Sequence, residues 1–181
     1  MPTEIVKTYK QEIPALRFIG KKYGDNDRVN GSFGKYWQDW LQNDWFGVIE
    51  KQIGSSIDTI YEDGDAYIGL ERYKKGEPFA YWIGMFAPPN TPVPEGYVFH
   101  DFPKASLGVC WVYGKEDEIF AQEKNCMKKL EKEGYEFLPD ENGFQWLFER
   151  YGCPRFTSPD EKGNVILDIC FYVSTVKDLA V

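Results

Sequence analysis

Glutamate, arginine and tyrosine follow one another at two places in the chain, as Glu71-Arg72-Tyr73 and as Glu149-Arg150-Tyr151. The two copies lie 78 positions apart, and each follows an apolar residue, Leu70 or Phe148. A glutamate in such a place can bind a cation or exchange a proton with a bound molecule. The commoner role of a glutamate is a surface ion pair, here with Arg150 or a lysine. The tripeptide alone does not decide between these roles.

Two further acids deserve comparison with Glu149. Glu71 is its counterpart in the other copy, but duplicated sites often keep one functional copy, so we interpret Glu71 first as a structural residue and second as a binding residue. Asp168 alternates with Leu167 and Ile169, so in a strand it points away from both. It is either solvated or it lines a cleft, and the sequence does not decide which.

The sequence lacks the residues that most other catalytic mechanisms require. His100 is the only histidine, which leaves little for a histidine-based metal site or nucleophilic triad. The phosphate-binding patterns GxxxxGK[ST] and GxGxxG do not occur in the sequence. We therefore expect neither a metal site nor a cofactor. The four cysteines show no CxxC spacing and are expected to be reduced thiols: Cys110, Cys126, Cys153 and Cys170.

Aromatic residues make up 17% of the chain, with 6 Trp, 12 Tyr and 13 Phe. They either pack against one another in a closed core or form the wall of a cavity, which would bind flat or cationic molecules by stacking and cation–π contact. Trp37 and Trp40 are neighbours on one helical face, which core packing explains well. The strand aromatics are the candidates for a cavity wall: Tyr81, Trp82, Trp111, Tyr113, Trp146 and Tyr151.

The charge balance excludes some partners. Lysine and arginine number 21 and acidic residues 29, for a formal net charge of −8. A field of that sign repels phosphate backbones and anionic lipid surfaces, so we expect no direct nucleic-acid partner and no membrane partner. Residues 1–5 show neither a basic nor an apolar region, so we expect no signal peptide, and no apolar run approaches about 18 residues. We therefore expect a cytoplasmic protein.

Hydrophobic periodicity predicts two helices, over residues 32–53 and 116–133. Gly47 is a potential break in the first helix, and Gly134 is a natural end for the second. Alternating patterns predict strands within or over residues 6–23, 59–73, 79–86, 97–113, 145–151 and 165–173. The segment 88–94 contains four prolines and cannot lie inside a sheet.

The order of these elements repeats. Residues 1–87 and 97–181 each contain a strand, a helix and two more strands, and residues 88–96 form a Pro-rich joint within one domain spanning 1–181. Ile13-Pro14-Ala15 in the first half is echoed by Phe102-Pro103-Lys104-Ala105 in the second. We therefore predict the α+β class: a tandem pseudo-twofold repeat of β-α-β-β units, with an antiparallel curved sheet, helices on one side and a central cleft.

Taken in order, these motifs resemble the gyrase-inhibitor-like (GyrI-like) small-molecule-binding domain. The same domain serves as the effector-binding domain of AraC-type and multidrug-responsive MerR-type transcription regulators. One departure is Tyr172, which stands where the family has a proline in its last strand. Six segments carry the resemblance, and together they cover nearly the whole chain: residues 13–20, Tyr81-Trp82-Ile83-Gly84, Pro94-Glu95-Gly96-Tyr97, residues 102–106, Phe148-Glu149-Arg150-Tyr151 and residues 167–173.

The resemblance implies a stand-alone protein that captures hydrophobic, aromatic and often cationic compounds in an aromatic pocket, with Glu149 as its buried acid. Burial would raise the pKa of Glu149, and alternation makes a tyrosine hydroxyl a better partner for it than Arg150. A first alternative is a hydrolase of reactive cyclopropane-bearing natural products, with Glu149 and Tyr151 as catalytic residues. A second is a gyrase-inhibitor-type protein-interaction module. The ligand-binding residues implied are Glu149, Tyr81, Trp82, Trp111, Tyr113, Trp146, Trp37 and Glu71.

Overall fold

The computed structural model describes residues 3–54 and 60–175, with nine strands and three α-helices in those ranges. The strands are β1 (Glu4–Ile13), β2 (Leu16–Gly24), β3 (Tyr67–Tyr73), β4 (Ala80–Ala87), β5 (Val98–Phe102), β6 (Ala105–Gly114), β7 (Tyr135–Phe137), β8 (Gln145–Tyr151) and β9 (Val165–Thr175). The helices are α1 (Gly34–Gln42), α2 (Trp45–Ile53) and α3 (Glu123–Lys132). No helix in the described ranges combines the length and the apolar character needed to cross a membrane.

The chain divides into two compact units. Unit 1 contains Met1–Ile13 and Ala105–Val181, and unit 2 contains Pro14–Lys104. The units differ from the two sequence halves by their first strands, because β1 pairs with β6 and β5 pairs with β2. The division of the sequence into repeat halves stays a prediction.

Each predicted first strand is split in two at its proline. Pro14 separates β1 from β2, and Pro103 separates β5 from β6. Proline has no N–H to donate to a strand ladder, so both positions interrupt the pairing. The two prolines therefore mark the points at which the chain leaves one unit and enters the other.

Unit 2 contains an antiparallel sheet in the order β3-β4-β2-β5, with α1 and α2 packed on one face. Gly20 and Gly84 lie directly opposite each other on β2 and β4. A Cβ on either glycine would overlap the backbone of the facing strand, so only glycine fits at this pair. The core under the helices contains Ile19, Phe33, Trp40, Phe46, Ile49, Tyr81, Ile83, Met85 and Ala87.

Unit 1 contains the antiparallel order β1-β6-β9-β8, and the short strand β7 also pairs with β9. Helix α3 covers one face through Cys126 and Leu130, which pack against Cys110 and Val112 of β6. Residues on that face alternate along each strand with residues on the opposite face. All four cysteines are free thiols, and of these only Cys153 is exposed.

The first predicted helix is interrupted, but not at Gly47. The break falls at Asn43 and Asp44, where Asp44 adopts the left-handed conformation with φ 52°. Gly47 lies inside α2, and a Cβ there would come within 2.5 Å of the Asp44 carboxylate. The glycine signal therefore reflects room for the Asp44 side chain rather than a helix end.

The second predicted helix starts too early. Residues 119–121 form a short 3-10 turn, and α3 begins only at Glu123. Its predicted end is confirmed, because Gly134 follows α3 with φ 91°.

The predicted strands over 79–86, 145–151 and 165–173 are confirmed as β4, β8 and β9. In the prediction over 59–73, only Tyr67–Tyr73 forms a strand, and residues 55–59 lie outside the described residues. Strand β7 was not predicted. The α+β class with antiparallel strands is confirmed, whereas the central cleft stays a prediction.

Candidate functional site

Glu149 lies on β8 of unit 1, on the face that α3 covers. It pairs in register with Ile169 of β9, which belongs to the core beneath the helix. Its neighbours at alternate positions, Leu147 and Tyr151, pack against the same core. Strand alternation therefore directs Glu149 towards the helix side of the sheet.

The carboxylate of Glu149 is buried, with 6% of the residue exposed. The hydroxyl of Tyr151 donates a hydrogen bond of 2.7 Å to Oε2 of Glu149. A tyrosine partner for this acid is thus confirmed. Among the residues that the structure describes, no cationic side chain forms an ion pair with Glu149, so the ionised form of the acid has no counter-charge there.

A second carboxylate lies close to Glu149. Glu123 is the first residue of α3, and carboxylate oxygens of the two residues lie within 4.8 Å of each other. Burial raises the pKa of Glu123. Two acids at this separation disfavour each other's ionisation, and a cation placed between them would relieve that repulsion.

The pKa of Glu149 is raised from 4.5 to about 7. Burial is the main cause, the hydrogen bond from Tyr151 opposes it, and the charge of Glu123 adds to it. The raised pKa predicted for Glu149 is thus confirmed. An acid that titrates near neutral pH can bind a cation when ionised, and it can also accept a proton in a reaction.

Arg150 occupies the opposite face of β8, away from Glu149. Its Nε donates to Asp168 at 2.8 Å, and its terminal nitrogens donate to Gln11 at 2.7 Å and to the Tyr9 hydroxyl at 3.2 Å. Arg155 donates to the other oxygen of Asp168 at 2.8 Å. Asp168 is completely buried in this network. It is therefore neither solvated nor exposed in a cleft, which were the two alternatives left open by the sequence.

Three of the predicted binding aromatics share the face of Arg150 rather than that of Glu149. The β6 and β9 registers place Trp111 and Arg150 opposite the same residue, Asp168. Tyr113 is two residues from Trp111 on β6, and Trp146 is four residues from Arg150 on β8. Both therefore lie on the same face as Trp111 and Arg150. The structure does not bring these three side chains together with Glu149, and their role in ligand binding stays a prediction.

The predicted residues of unit 2 also divide between the two faces of a sheet. Tyr81 lies under the helices, stacks on Phe33 with ring centroids 4.3 Å apart, and accepts a hydrogen bond of 2.8 Å from Nε1 of Trp37. Glu71 lies opposite Tyr81 in the register and is half-buried. Trp82, the next residue along β4, points to the other face.

Two residues that neighbour Tyr151 or Glu149 were missed from the sequence. Phe156 places its ring 4.7 Å from that of Tyr151, edge to face, and it lies in a connection with no periodic pattern. Glu123 carried one usable signal, since acids are favoured in the first turn of a helix. That signal was lost because the helix was predicted to start at residue 116.

The comparisons with known proteins bear on the fold. No protein-family model and no curated protein sequence matches the chain. The solved structure of SAV2435 bound to tetraphenylphosphonium is similar at TM-score 0.65 and 14% identity, over 97% of this chain and 98% of that one. A putative bacterial transcription regulation protein from Staphylococcus aureus MU50 is similar at TM-score 0.59 and 15% identity, over 93% and 98%.

The C-terminal domain of EcmrR is also similar, at TM-score 0.57 and 15% identity, over 94% of this chain and 98% of that one. At these identities the likeness shows a shared fold. The chain thus has the fold of a domain known both with a small molecule bound and as the C-terminal part of a larger protein. The resemblance to the GyrI-like small-molecule-binding domain is confirmed at the level of the fold.

Proposed function

We propose that this protein binds hydrophobic, aromatic and often cationic small molecules, and that Glu149 is the carboxylate that receives their positive charge. The observation that carries the proposal is the burial of Glu149 without a cationic partner in the described part of the chain. A buried carboxylate must either take up a proton or meet a positive charge. A cationic ligand supplies that charge.

The neighbours of Glu149 favour a bulky organic cation. Tyr151 donates its hydroxyl to the carboxylate, and Phe156 contacts the Tyr151 ring edge to face. Aromatic rings attract cations and stack on flat groups. Glu123 adds a second negative charge within reach of one ligand. The complex of SAV2435 with tetraphenylphosphonium supports the same ligand class for the fold.

Among the ligand-binding residues predicted from the sequence, those on helix-covered faces are the stronger candidates. We rank Glu149 first, and Tyr81, Trp37 and Glu71 next. Tyr151, which was predicted as a catalytic residue, joins Glu149 because it donates a hydrogen bond to it. The residues on the opposite faces of the two sheets come last: Trp82, Trp111, Tyr113 and Trp146.

Calorimetric titration with tetraphenylphosphonium tests the proposal. Glu149→Gln keeps the shape of the side chain and removes its charge, so affinity should fall by on the order of 1.5–3 kcal/mol, or roughly 10- to 100-fold. Glu131→Gln, an equal charge change at an exposed position of α3, is the matched control and should bind like the wild type.

Tetraphenylborate, an anion of similar shape, separates charge recognition from hydrophobic capture. It should bind the wild type weakly and the Glu149→Gln variant no worse. Equal affinities of wild type and Glu149→Gln for tetraphenylphosphonium would remove Glu149 from the site.

The pKa of Glu149 favours one second candidate, a hydrolase of reactive cyclopropane-bearing compounds. A carboxyl group that titrates at about 7 is suited to remove a proton from an attacking water at neutral pH. Tyr151 would hold that carboxylate in place through its hydroxyl. Mass spectrometry after incubation with electrophilic cyclopropane compounds distinguishes the two: a product heavier by one water supports the hydrolase, and recovery of unchanged compound supports binding alone.

A further inference from the structure

Lys21 of unit 2 places its ammonium group among aromatic rings. Its Nζ lies 4.8 Å from the ring centroid of Trp45 and 4.5 Å from that of Tyr97. It also donates a hydrogen bond of 3.2 Å to the carbonyl oxygen of Gly96. No carboxylate in the described residues forms an ion pair with Lys21. The rings and one carbonyl therefore hold this cation.

The ring pair is rigidly built. The hydroxyl of Tyr97 donates a 2.8 Å hydrogen bond to the backbone oxygen of Trp45, which fixes one ring relative to the other. Trp40 is completely buried and contacts both edge to face, with centroid distances of 5.8 Å to Trp45 and 5.9 Å to Tyr97. Gly96, the residue before Tyr97, has φ 82°, a left-handed conformation that glycine adopts without strain.

Such an arrangement recognises a cation by its charge and size rather than by hydrogen bonds. Two electron-rich ring faces around one positive charge are how proteins bind quaternary ammonium groups. Lys21, Trp45 and Tyr97 are each half-buried, so the site can exchange its occupant with solvent. Lysine is a long and flexible side chain, and it needs only rotamer changes to leave.

We propose that Trp45 and Tyr97 form a second ligand site that takes a small quaternary ammonium group when Lys21 leaves it. Lys21 is then a tethered competitor, which occupies the site whenever no external cation is bound. The site uses residues of unit 2 alone and none of those around Glu149, so it stands independently of the function proposed above.

The test is calorimetric titration with tetramethylammonium chloride at constant ionic strength. The tethered ammonium competes at a high effective concentration, so its removal in Lys21→Ala should tighten binding by about tenfold over the wild type. Lys22→Ala is the matched control: it removes the same charge at the adjacent position, and Lys22 lies over Trp82 on the opposite face. It should bind like the wild type. Equal affinities of Lys21→Ala and Lys22→Ala would overturn the proposal.

A measurement on the wild-type protein tests the proposal without depending on the folding of a variant. Protons on the side chain of Lys21 lie over two rings and should resonate upfield of those of an exposed lysine. Titration with tetramethylammonium should move them towards ordinary lysine values, while the resonances of Lys22 stay unchanged. Lys21 resonances that stay fixed at saturating tetramethylammonium would contradict displacement.

The quaternary ammonium group could belong to a free molecule or to a choline lipid headgroup. Flotation of Lys21→Ala with phosphatidylcholine vesicles, compared with Lys22→Ala, distinguishes these sources. If Lys21→Ala floats with the vesicles and Lys22→Ala does not, the ligand is a lipid headgroup. If Lys21→Ala binds tetramethylammonium but does not float, the ligand is a free ion.

Discussion

Tyr151 donates its hydroxyl hydrogen to Oε2 of Glu149, at 2.7 Å, from two positions further along the same strand. Residues two apart on a strand project to the same face, so the strand itself aligns donor and acceptor. This hydrogen bond lowers the pKa of Glu149, while burial raises it. Tyr151 thus partly offsets the effect of burial and favours the charged form of the acid.

The variant Tyr151→Phe removes this hydrogen bond and keeps the ring. The pKa of Glu149 should rise further above its ordinary value, because the ionised form loses a donor. The edge-to-face contact with Phe156 should remain, so the free energy of unfolding should fall by only about 0.5–1.5 kcal/mol. The carboxyl stretching band in infrared spectra, followed against pH, measures the pKa. A pKa equal to that of the wild type would show that the hydroxyl does not stabilise the carboxylate.

Stability should depend on pH through Glu149. Its pKa is about 7 in the folded protein and near 4.5 when unfolded, so the folded state binds more protons between these values. The contribution to stability is fully present below pH 4.5 and is lost as the pH rises through 7. Its full size is about 3 kcal/mol for a group this deeply buried.

Urea denaturation of wild type and Glu149→Gln at several pH values measures this contribution. Their difference reports the titration of Glu149 together with its effect on the neighbouring Glu123. The other acids are common to both proteins. A difference that does not change between pH 4.5 and pH 8 would contradict the raised pKa. The same titration should make tetraphenylphosphonium bind more tightly to the wild type as the pH rises through 7, since only the ionised acid attracts the cation.

The sequence predicted those elements whose pattern lies within one continuous segment, and it missed those that depend on single residues or on tertiary packing. Strands β4 and β8 were predicted within a residue or so, because each is a continuous pattern between clear turn residues. The break between α1 and α2 depends on the left-handed Asp44, which no periodicity reveals. Strand β7 has three residues, too few to show an alternation.

The candidate site was likewise predictable only where its residues lie close together in one strand. The pairing of Glu149 with Tyr151 follows from spacing within one strand and was predictable. The nearness of Glu123 depends on how α3 packs on the sheet, which is a tertiary property. Whether Trp111 shares a face with Glu149 depends on the register of β6 and β8 against β9, and a shift of one residue would reverse it.

The glycine pair on β2 and β4 should not tolerate a side chain. In Gly20→Ala or Gly84→Ala the new methyl group would overlap the carbonyl oxygen of Ile83 or Ile19. The strands would have to separate, and we expect a loss of unfolding free energy of about 1–3 kcal/mol or more. Thermal unfolding measures it. Gly24→Ala at the end of β2 is the control, because its Cβ would meet nothing closer than 3.9 Å and its φ is −123°. Equal melting temperatures for Gly20→Ala and Gly24→Ala would contradict the close approach.

The buried ion pairs around Asp168 should be far more important for stability than the exposed ones. Asp168 is completely buried and accepts hydrogen bonds from both Arg150 and Arg155, while Arg150 is 1% exposed. In Asp168→Asn both guanidinium groups lose their counter-charge in a site with little access to water. Removing one partner of a buried pair in this way costs about 3–5 kcal/mol.

Asp101→Asn provides the comparison. Asp101 accepts hydrogen bonds from Nε and a terminal nitrogen of Arg17 at 2.7 and 2.9 Å, so its geometry is as good as that of the buried pair. Its side chain is 56% exposed, however, and water screens the charge that the substitution uncovers. Exposed pairs contribute about 0–1 kcal/mol, so Asp101→Asn should unfold at nearly the urea concentration of the wild type. Similar losses of stability for the two variants would mean that burial does not set the strength of the Asp168 network, and that Arg150 and Arg155 find other partners.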